Sequence, residues 1–380
     1  MFVVAVAGVV LAGELGLMSV GAASNRSAPT FTRVPLRCSV AGELASWSLD
    51  RLAAETLGTA VPEDDVGSVA HEVAMGIGGI ILFGSVAPPD LGIQLAALEA
   101  RAPEDVKPLV MTDEEGGLVQ RMPDLVGSMP AARTMGASMD PAQIEVLATK
   151  VGRRMLAAGV TMDLAPVLDV DGGVGPNARD PDGTRSFSAN VAVAAKDGLA
   201  FAAGLERAGV IAVVKHFPGL GGVSGNTDVG PAATIPWSRL ARSGLVPFVD
   251  AIRAGVQAVM VANASVPGLT SQPASLSKTV ETSLLRGRLH FKGLIVTDAL
   301  TAPSISAKGL TVPEAAVAAL QAGADLLLYQ VPSGSTASLT NEIVAAIVKA
   351  VEKGRLSRPQ LVAAVSYVLA AKRVDLCADA

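Results

Sequence analysis

Short apolar runs that alternate with alanine-rich helical stretches constrain the fold of this chain more than any other feature. Seven runs of strand length are mostly continuous in their hydrophobicity: 79–83, 108–112, 162–166, 211–214, 258–261, 293–297 and 324–328. Continuous hydrophobicity is typical of parallel strands that are buried on both faces. Helical stretches lie between the runs, at 141–158, 190–208, 247–254, 312–322 and 341–353.

This alternation predicts an α/β fold, for which a single (β/α)8 barrel fits best and a doubly wound open sheet is the alternative. The chain has 380 residues, 50% of them hydrophobic and 17% charged, so it can bury a large core. No linker rich in Pro, Gly or Ser divides residues 38–380, so we expect one barrel domain there. The formal net charge of −5 argues against nucleic acid as a partner.

Residues 1–37 have the order of a secretory signal peptide and a flexible leader: an apolar stretch, small residues at 21–23, then a Ser/Pro/Thr-rich segment. Because Glu14 interrupts the apolar stretch, we expect no stable membrane span in the mature chain. The sequence predicts an exported protein, extracellular or in the cell envelope; a plain apolar helix and a cytoplasmic location are the alternative. In an exported chain Cys38 and Cys377 can form a disulfide, and two unpaired thiols are the alternative.

Polar side chains follow most of the predicted strands, at the end of a barrel where active sites are built. They are Asp113, Glu114 and Glu115 after the second run, Asp169 and Asp171 after the third, Lys215 and His216 after the fourth, Asn263 after the fifth and Asp298 after the sixth. A carboxylate at the end of a buried strand, such as Asp298, can act as a nucleophile, a base or an electrostatic stabiliser. Donors and acceptors together suit a polyhydroxylated substrate, because each buried hydroxyl needs a partner. The sequence therefore predicts a sugar site.

The motifs that carry these residues resemble the β-N-acetylhexosaminidases of glycoside hydrolase family three, in order from about residue 45 to 330. They are TDEEGGLVQR ending at Arg121, DLAPVLDV from Asp163, TRSFS from Thr184, VKHFPG around Lys215, LVPF from Leu245, PASLS from Pro273, and LRG from Leu285 continuing into GLIVTD at Asp298. The pairing of the first motif with Lys-His-Phe-Pro-Gly at this spacing is highly specific.

The resemblance implies hydrolysis of terminal non-reducing β-linked N-acetylglucosamine, from peptidoglycan-derived or related glycans, by a retaining mechanism. Asp298 matches the family nucleophile. The residues that match those holding the sugar are Asp113, Arg121, Arg185, Lys215 and His216. The resemblance implies neither a metal nor another cofactor, and the oligomeric state is left open. Glu114 and Glu115 are expected to be structural or solvated, and Trp47 and Trp237 to pack in the core.

The loop after the fourth run departs from the family pattern. Relatives carry a His directly after Lys-His-Phe-Pro-Gly, and then a mobile Asp-Ser-His whose His is the general acid/base. Here Leu220 occupies the first position and Asp228 begins Asp-Val-Gly at the second, so the loop has no His. Asp228 is the only acid in this loop and thus the candidate replacement, with a turn-forming role as the alternative. Leu118, Asn263 and Ala299 also replace a family Arg, His and acid.

Two functional classes follow from these observations. The first is a glycosidase that uses Asp298 with Asp228 as an unconventional acid. The alternative is a catalytically impaired relative that acts as a sugar-binding or scaffold protein. Transfer of the sugar to phosphate instead of water is a third variant.

Overall fold

The computed structural model describes residues 40–103, 106–331 and 334–376. The predicted signal peptide and leader, as well as Cys38 and Cys377, lie outside these residues, so the predictions made for them stay predictions. In the described part of the chain no helix has the length and apolar character needed to cross a membrane.

Eight parallel strands form the centre of the fold. They are β1 (Leu57–Pro62), β2 (Gly79–Phe83), β3 (Leu109–Thr112), β4 (Met162–Asp163), β5 (Ile211–Phe217), β6 (Ala258–Val261), β7 (Leu294–Thr297) and β8 (Leu327–Tyr329). Each strand from β1 to β6 pairs with the next one in the chain, and β1 pairs with β8. A parallel bridge between Val296 and Leu326 joins β7 to the β8 segment and closes the ring. The structure confirms the predicted single (β/α)8 barrel.

Helices surround this ring. The α-helices are Val40–Glu43, Leu49–Glu55, Ala70–Met75, Leu91–Glu99, Pro123–Val126, Ala132–Ser138, Pro141–Ala157, Val191–Ala208, Trp237–Leu240, Val246–Ala254, Pro303–Ser306, Val312–Ala322, Thr336–Glu352 and Arg358–Lys372, and a π-helix spans Thr279–Arg288. Several begin at the sequence signals for a helix start. Asp140, Thr311 and Ser357 form capping boxes, each with a Gln or Glu three residues later.

Both faces of the strands are apolar because both are covered. Met111, Val213 and Met260 belong to the cluster that fills the barrel interior. Their strand neighbours, such as Val110 and Val214, pack instead against the helices. Alternate residues thus serve two different cores, which explains why the strand sequences are continuously hydrophobic.

The structure adds to the strand predictions at two places. β1 was not predicted, because Gly58 and Thr59 interrupt the hydrophobic pattern of its sequence. The fourth predicted run was too short, since β5 continues through Lys215 and His216 to Phe217. Both side chains therefore lie within a strand and not in the loop that follows it. The peptide bond between Lys215 and His216 is cis.

The helices Pro141–Ala157 and Val191–Ala208 approach each other closely at Gly204. A Cβ atom added there would lie 2.5 Å from the backbone oxygen of Glu145 and 2.6 Å from the Cβ atom of Ala148. Only a residue without a side chain fits this contact.

We expect Gly204→Ala to lower the free energy of unfolding by about 1–3 kcal/mol, because the added methyl group meets backbone that cannot rotate away. Urea unfolding measures the change. Gly67→Ala is the control, since nothing lies within 4 Å of the Cβ position there. Equal stability of the two variants would contradict the close helix contact.

Candidate active site

A pocket of ≈ 290 Å³ opens at the C-terminal ends of the strands. It brings together all seven predicted site residues: Asp113, Arg121, Arg185, Lys215, His216, Asp228 and Asp298. Its volume is at the lower end of small-molecule sites, which run from roughly 300 to 1,000 Å³. The pocket therefore suits one sugar ring with its substituents better than an extended oligosaccharide.

Lys215 is the centre of a buried charge network. Its Nζ lies 2.6 Å from Asp113 Oδ1 and 2.7 Å from Glu115 Oε1. Arg185 forms a bidentate pair with Glu115, with Nε 2.7 Å from Oε2 and Nη2 2.8 Å from Oε1. Arg121 lies further away, with Nη2 3.8 Å from Asp113 Oδ2. Since an ammonium group has three donors, Lys215 keeps one N–H for a ligand hydroxyl.

This network remains charged in spite of its burial. Desolvation alone would raise the pKa of Glu115, but the charges of Arg185 and Lys215 hold it below its ordinary value. Desolvation likewise opposes the charge of Lys215, yet Asp113 and Glu115 raise the pKa of this ammonium group. Glu115 was expected to be structural or solvated, and the structure makes it the carboxylate that joins two cations of the pocket.

His216 is fixed from behind by Asp169. Its Nδ1 lies 2.7 Å from Asp169 Oδ2, which also accepts the backbone N–H of His216 at 3.0 Å. Asp169 Oδ1 accepts the backbone N–H of Leu220 at 2.6 Å. Desolvation and the charge of Arg185 lower the pKa of His216 to about 4. Burial thus favours a neutral imidazole at pH 7. Opposite an ionised Asp169 its proton lies on Nδ1, and Nε2 keeps an acceptor lone pair.

Asp298 follows β7 directly. Its backbone N–H donates to Val261 O at 3.0 Å, and its Oδ1 accepts the N–H of Ala299 at 2.7 Å. Burial raises the pKa of Asp298, and the charge of Asp228 raises it further. One carboxylate oxygen is held by the backbone, which leaves the other for a ligand.

Asn263 supports this position from the end of β6. Its Nδ2 donates to Ala299 O at 2.8 Å, and its Oδ1 accepts from Ser275 Oγ at 2.5 Å. The amide therefore positions the backbone beside Asp298 and does not line the pocket.

A hairpin after β3 presents Arg121. It pairs Glu114–Gly116 with Val119–Gln120. Glu114 Oε1 accepts the backbone N–H groups of Arg121 at 2.7 Å and Met122 at 2.6 Å. Burial raises the pKa of Glu114 to about 7. Glu114 therefore holds the hairpin in place and does not face the pocket.

The loop after β5, residues 218–236, is packed tightly at its start. Leu220 is buried in a small cluster with Ala262 and Ala264. A Cβ atom on Gly221 would lie 2.0 Å from Val170 O, so the chain passes too close there for any side chain. Leucine at position 220 is thus a packing residue.

The second half of this loop carries Asp228 into the pocket wall. Ser304 N–H donates to Thr227 O at 3.2 Å, and Asp228 N–H donates to Asn226 Oδ1 at 2.8 Å. His71 and His290 do not line the pocket. Asp228 is exposed and is the carboxyl group that this loop contributes to the site.

Asp182 is a buried acid that sequence reasoning missed. It is 1% exposed, and neither carboxylate oxygen has a hydrogen-bond partner among the described residues. Asp182, Asp169 and His216 are the described side chains close enough to hold a cation, with ligand atoms within 4.8 Å of one another. Asp169 already accepts three hydrogen bonds, however, and burial and the charge of Asp169 raise the pKa of Asp182 well above its ordinary value. Asp182 is therefore favoured as a neutral acid.

Comparisons with known proteins show which family and which relatives this chain is similar to. Residues 61–371 match the family model described as the glycosyl hydrolase family 3 N terminal domain. The chain is 39% identical over 229 residues to beta-hexosaminidase LpqI of Mycobacterium tuberculosis, a match that spans 58% of this chain and 58% of that relative. It is 37% identical over 294 residues to an uncharacterized secreted glycosyl hydrolase of Arthroderma benhamiae, across 74% of this chain and 80% of the relative.

Solved structures are similar over most of the fold. The crystal structure of beta-N-acetylhexosaminidase from Beutenbergia cavernae superposes with a TM-score of 0.77 at 31% identity, and covers 87% of this chain and 100% of that chain. The structure of M. tuberculosis LpqI superposes with a TM-score of 0.78 at 31% identity, across 91% of this chain and 98% of that one.

We expect Asp169→Asn to weaken the binding of N-acetylglucosamine by about tenfold or more, since an amide NH₂ would face N–H donors and release the imidazole of His216. Calorimetry at pH 7 measures the affinity, and thermal unfolding checks that the variant is folded. Asp250→Asn removes the same charge from an exposed surface pair and is the control. Unchanged affinity in a folded Asp169→Asn variant would show that the His216 contact does not matter for binding.

Proposed function

We propose, because the chain belongs to glycosyl hydrolase family 3, that it hydrolyses terminal non-reducing β-linked N-acetylglucosamine residues. One observation carries this proposal: Asp298 and the buried charge network around Lys215 line the same pocket of ≈ 290 Å³, which has room for one sugar ring. We call the side chains of this network that face the pocket, together with Arg121 and His216, the clamp. Relatives named as beta-hexosaminidases support the same activity. A pocket of this size favours removal of single end residues over cleavage within a chain.

The charged network binds the sugar by its hydroxyl groups. Lys215 offers a donor, Asp113 and the Nε2 atom of His216 are acceptors, and Arg121 and Arg185 supply further N–H groups. Each buried hydroxyl can thereby replace the hydrogen bonds that it makes with water. Because the clamp is already fixed by its own ion pairs, little side-chain entropy is lost when the sugar binds.

Asp298 is the nucleophile of a retaining mechanism in two steps. Its carboxylate oxygen forms a bond to the anomeric carbon while the bond from that carbon to the leaving oxygen breaks. Water then attacks the anomeric carbon of the glycosyl ester from the opposite face and releases Asp298 as a carboxylate. The product keeps the β configuration.

Asp228 is the proposed general acid and base. In the first step it gives its proton to the leaving oxygen, and in the second it takes a proton from the attacking water. Support comes from its position in the pocket wall, which Asp298 also lines. A sugar in the pocket excludes water from the surrounding carboxyl groups, which favours a protonated acid there.

We also propose that the protein is exported and acts on peptidoglycan-derived or related glycans. Support comes from the order of segments in residues 1–37 and from a similar protein that is named as secreted.

We expect Asp298→Asn to reduce hydrolysis of 4-nitrophenyl N-acetyl-β-glucosaminide by about 10⁴-fold or more, because the amide cannot form the glycosyl ester. Binding of N-acetylglucosamine should persist. Release of 4-nitrophenol and calorimetry measure the two properties, with Asp250→Asn as the control. Sugar binding without turnover in the wild type would instead support a sugar-binding protein.

We expect Asp228→Asn to reduce hydrolysis of N,N′-diacetylchitobiose by about 10²–10⁴-fold, the usual contribution of general acid catalysis. Hydrolysis of the 4-nitrophenyl glycoside should fall much less, since its leaving group needs little protonation. The ratio of kcat/KM values for the two substrates is the measurement. Equal losses on both substrates, or no loss on either, would remove Asp228 from the acid role.

A further inference from the structure

Four exposed aliphatic side chains lie on consecutive loops around the pocket mouth. Six large hydrophobic residues are more than 60% exposed in the described part of the chain, and four of them lie in the loops that follow β2, β3, β4 and β5. They are Val86 (71% exposed), Leu118 (79%), Val174 (90%) and Val229 (62%). These four strands are consecutive in the barrel. We name this group the apolar rim.

Each member of the apolar rim lies close in sequence to the pocket wall. Leu118 precedes Val119 and Val229 follows Asp228, both of which line the pocket. Hydrogen bonds join the loops in pairs. Ala87 N–H donates to Asp124 Oδ1 at 3.2 Å and joins the Val86 loop to the segment after the hairpin.

A second hydrogen bond joins the loops that carry Val174 and Val229, since Asn226 Nδ2 donates to Asn177 O at 3.4 Å. The loops after β6, β7, β8 and β1 contribute none of the strongly exposed large hydrophobic residues among the described positions. The mouth therefore has one apolar half and one half without such residues.

Single exposed aliphatic residues are normal on protein surfaces, but a group of them beside a pocket indicates a binding surface. Asp298 follows β7, which lies four strands away from β3 in the ring of eight and thus opposite Leu118. A nucleophile attacks the anomeric carbon from the side opposite the leaving group. The leaving group of a bound glycoside is therefore expected on the side of the loops after β2 to β5, one of which carries Asp228, its proposed proton donor.

The aromatic residues of the pocket do not offer a platform for a second sugar. Phe83 is covered by the guanidinium group of Arg121, 4.9 Å from the ring centre. Tyr329 is 1% exposed, and its hydroxyl group lies 2.6 Å from Thr340 Oγ1. Trp47 and Trp237 pack against the core and do not line the pocket.

We propose that the apolar rim binds an apolar aglycone, an alkyl or aryl group β-linked to N-acetylglucosamine, in preference to a second sugar ring. The inference rests on the proposed function, because it assigns the leaving-group side of the same pocket. Val86, Leu118, Val174 and Val229 cover the aglycone, while the buried clamp holds the sugar. The short aliphatic side chains suit a flexible chain or a single ring.

A series of methyl, butyl and hexyl N-acetyl-β-glucosaminides tests this proposal. The three leaving groups are primary alcohols or methanol of similar basicity, so chain length changes chiefly the contact with the protein. Each buried CH₂ group should raise kcat/KM by about threefold to fourfold. We expect at least a tenfold rise from methyl to hexyl in the wild type, and a higher kcat/KM for the hexyl glycoside than for N,N′-diacetylchitobiose.

The test variant is Leu118→Ser combined with Val174→Ser. It should hydrolyse the methyl glycoside like the wild type and lose most of the increase with chain length. Ile93→Ser combined with Val146→Ser removes two equally exposed aliphatic residues from the outer helices and should keep the full increase. A flat response in the wild type, or an increase that survives in the test variant, would overturn the proposal.

Binding of the same glycosides to Asp298→Asn, measured by calorimetry, separates this proposal from the proposed function. Affinity that rises with chain length and depends on Leu118 and Val174 supports the apolar rim even if no glycoside is hydrolysed. Affinity that is independent of chain length overturns it. Sedimentation with phosphatidylcholine vesicles that requires the rim residues, without any effect of chain length, would assign the rim to a membrane surface instead.

Discussion

A buried ammonium group governs how the polar end of this barrel is assembled. The side chain of Lys215 is 3% exposed, and an unpaired charge at such a position would cost several kcal/mol. Asp113 and Glu115, about 100 residues earlier in the chain, supply the compensating carboxylates. Glu115 in turn fixes Arg185, so one cation determines how β5 and the segments after β3 and β4 come together. The pocket has its shape because these charges must be balanced without water.

The fold followed from the sequence because one physical condition acts on every strand. A strand that is covered on both faces has to be hydrophobic at every position, and this leaves a continuous apolar run that can be read without any partner. β1 was not predicted because Gly58 interrupts its hydrophobic run. The side chains of Leu328 and Met111 fill the space beside Gly58, so a hydrophobic side chain is not needed at this position. Hydrophobic patterns therefore detect strands that bury large side chains, and they miss a strand in which a glycine accommodates the side chains of neighbouring strands.

The sequence predicted which residues belong to the site, but not which of them contact one another. Strand ends and motifs identified Lys215 and Asp298, whereas the link from Glu115 to Arg185 spans 70 residues and leaves no local pattern. Asp182 is a similar case, because a buried acid and an exposed one look alike in a sequence. The loop after β5 shows a third limit. Leu220 was recognised as a replacement for a histidine, but only the structure shows that it packs with Ala262 and Ala264 and anchors the start of the loop that carries Asp228.

Residues at the strand ends and residues at the loop tips of this molecule differ strongly in how well they tolerate substitution during evolution. A substitution that removes the charge of Lys215 or Glu115 leaves the charge of its partner buried and unpaired. Such a substitution therefore requires a second, compensating substitution. Val174 and Leu118 are 90% and 79% exposed and have no such obligation, so a new side chain there costs the fold little. A lineage built on this barrel can thus acquire new leaving-group preferences one mutation at a time while its choice of sugar stays fixed.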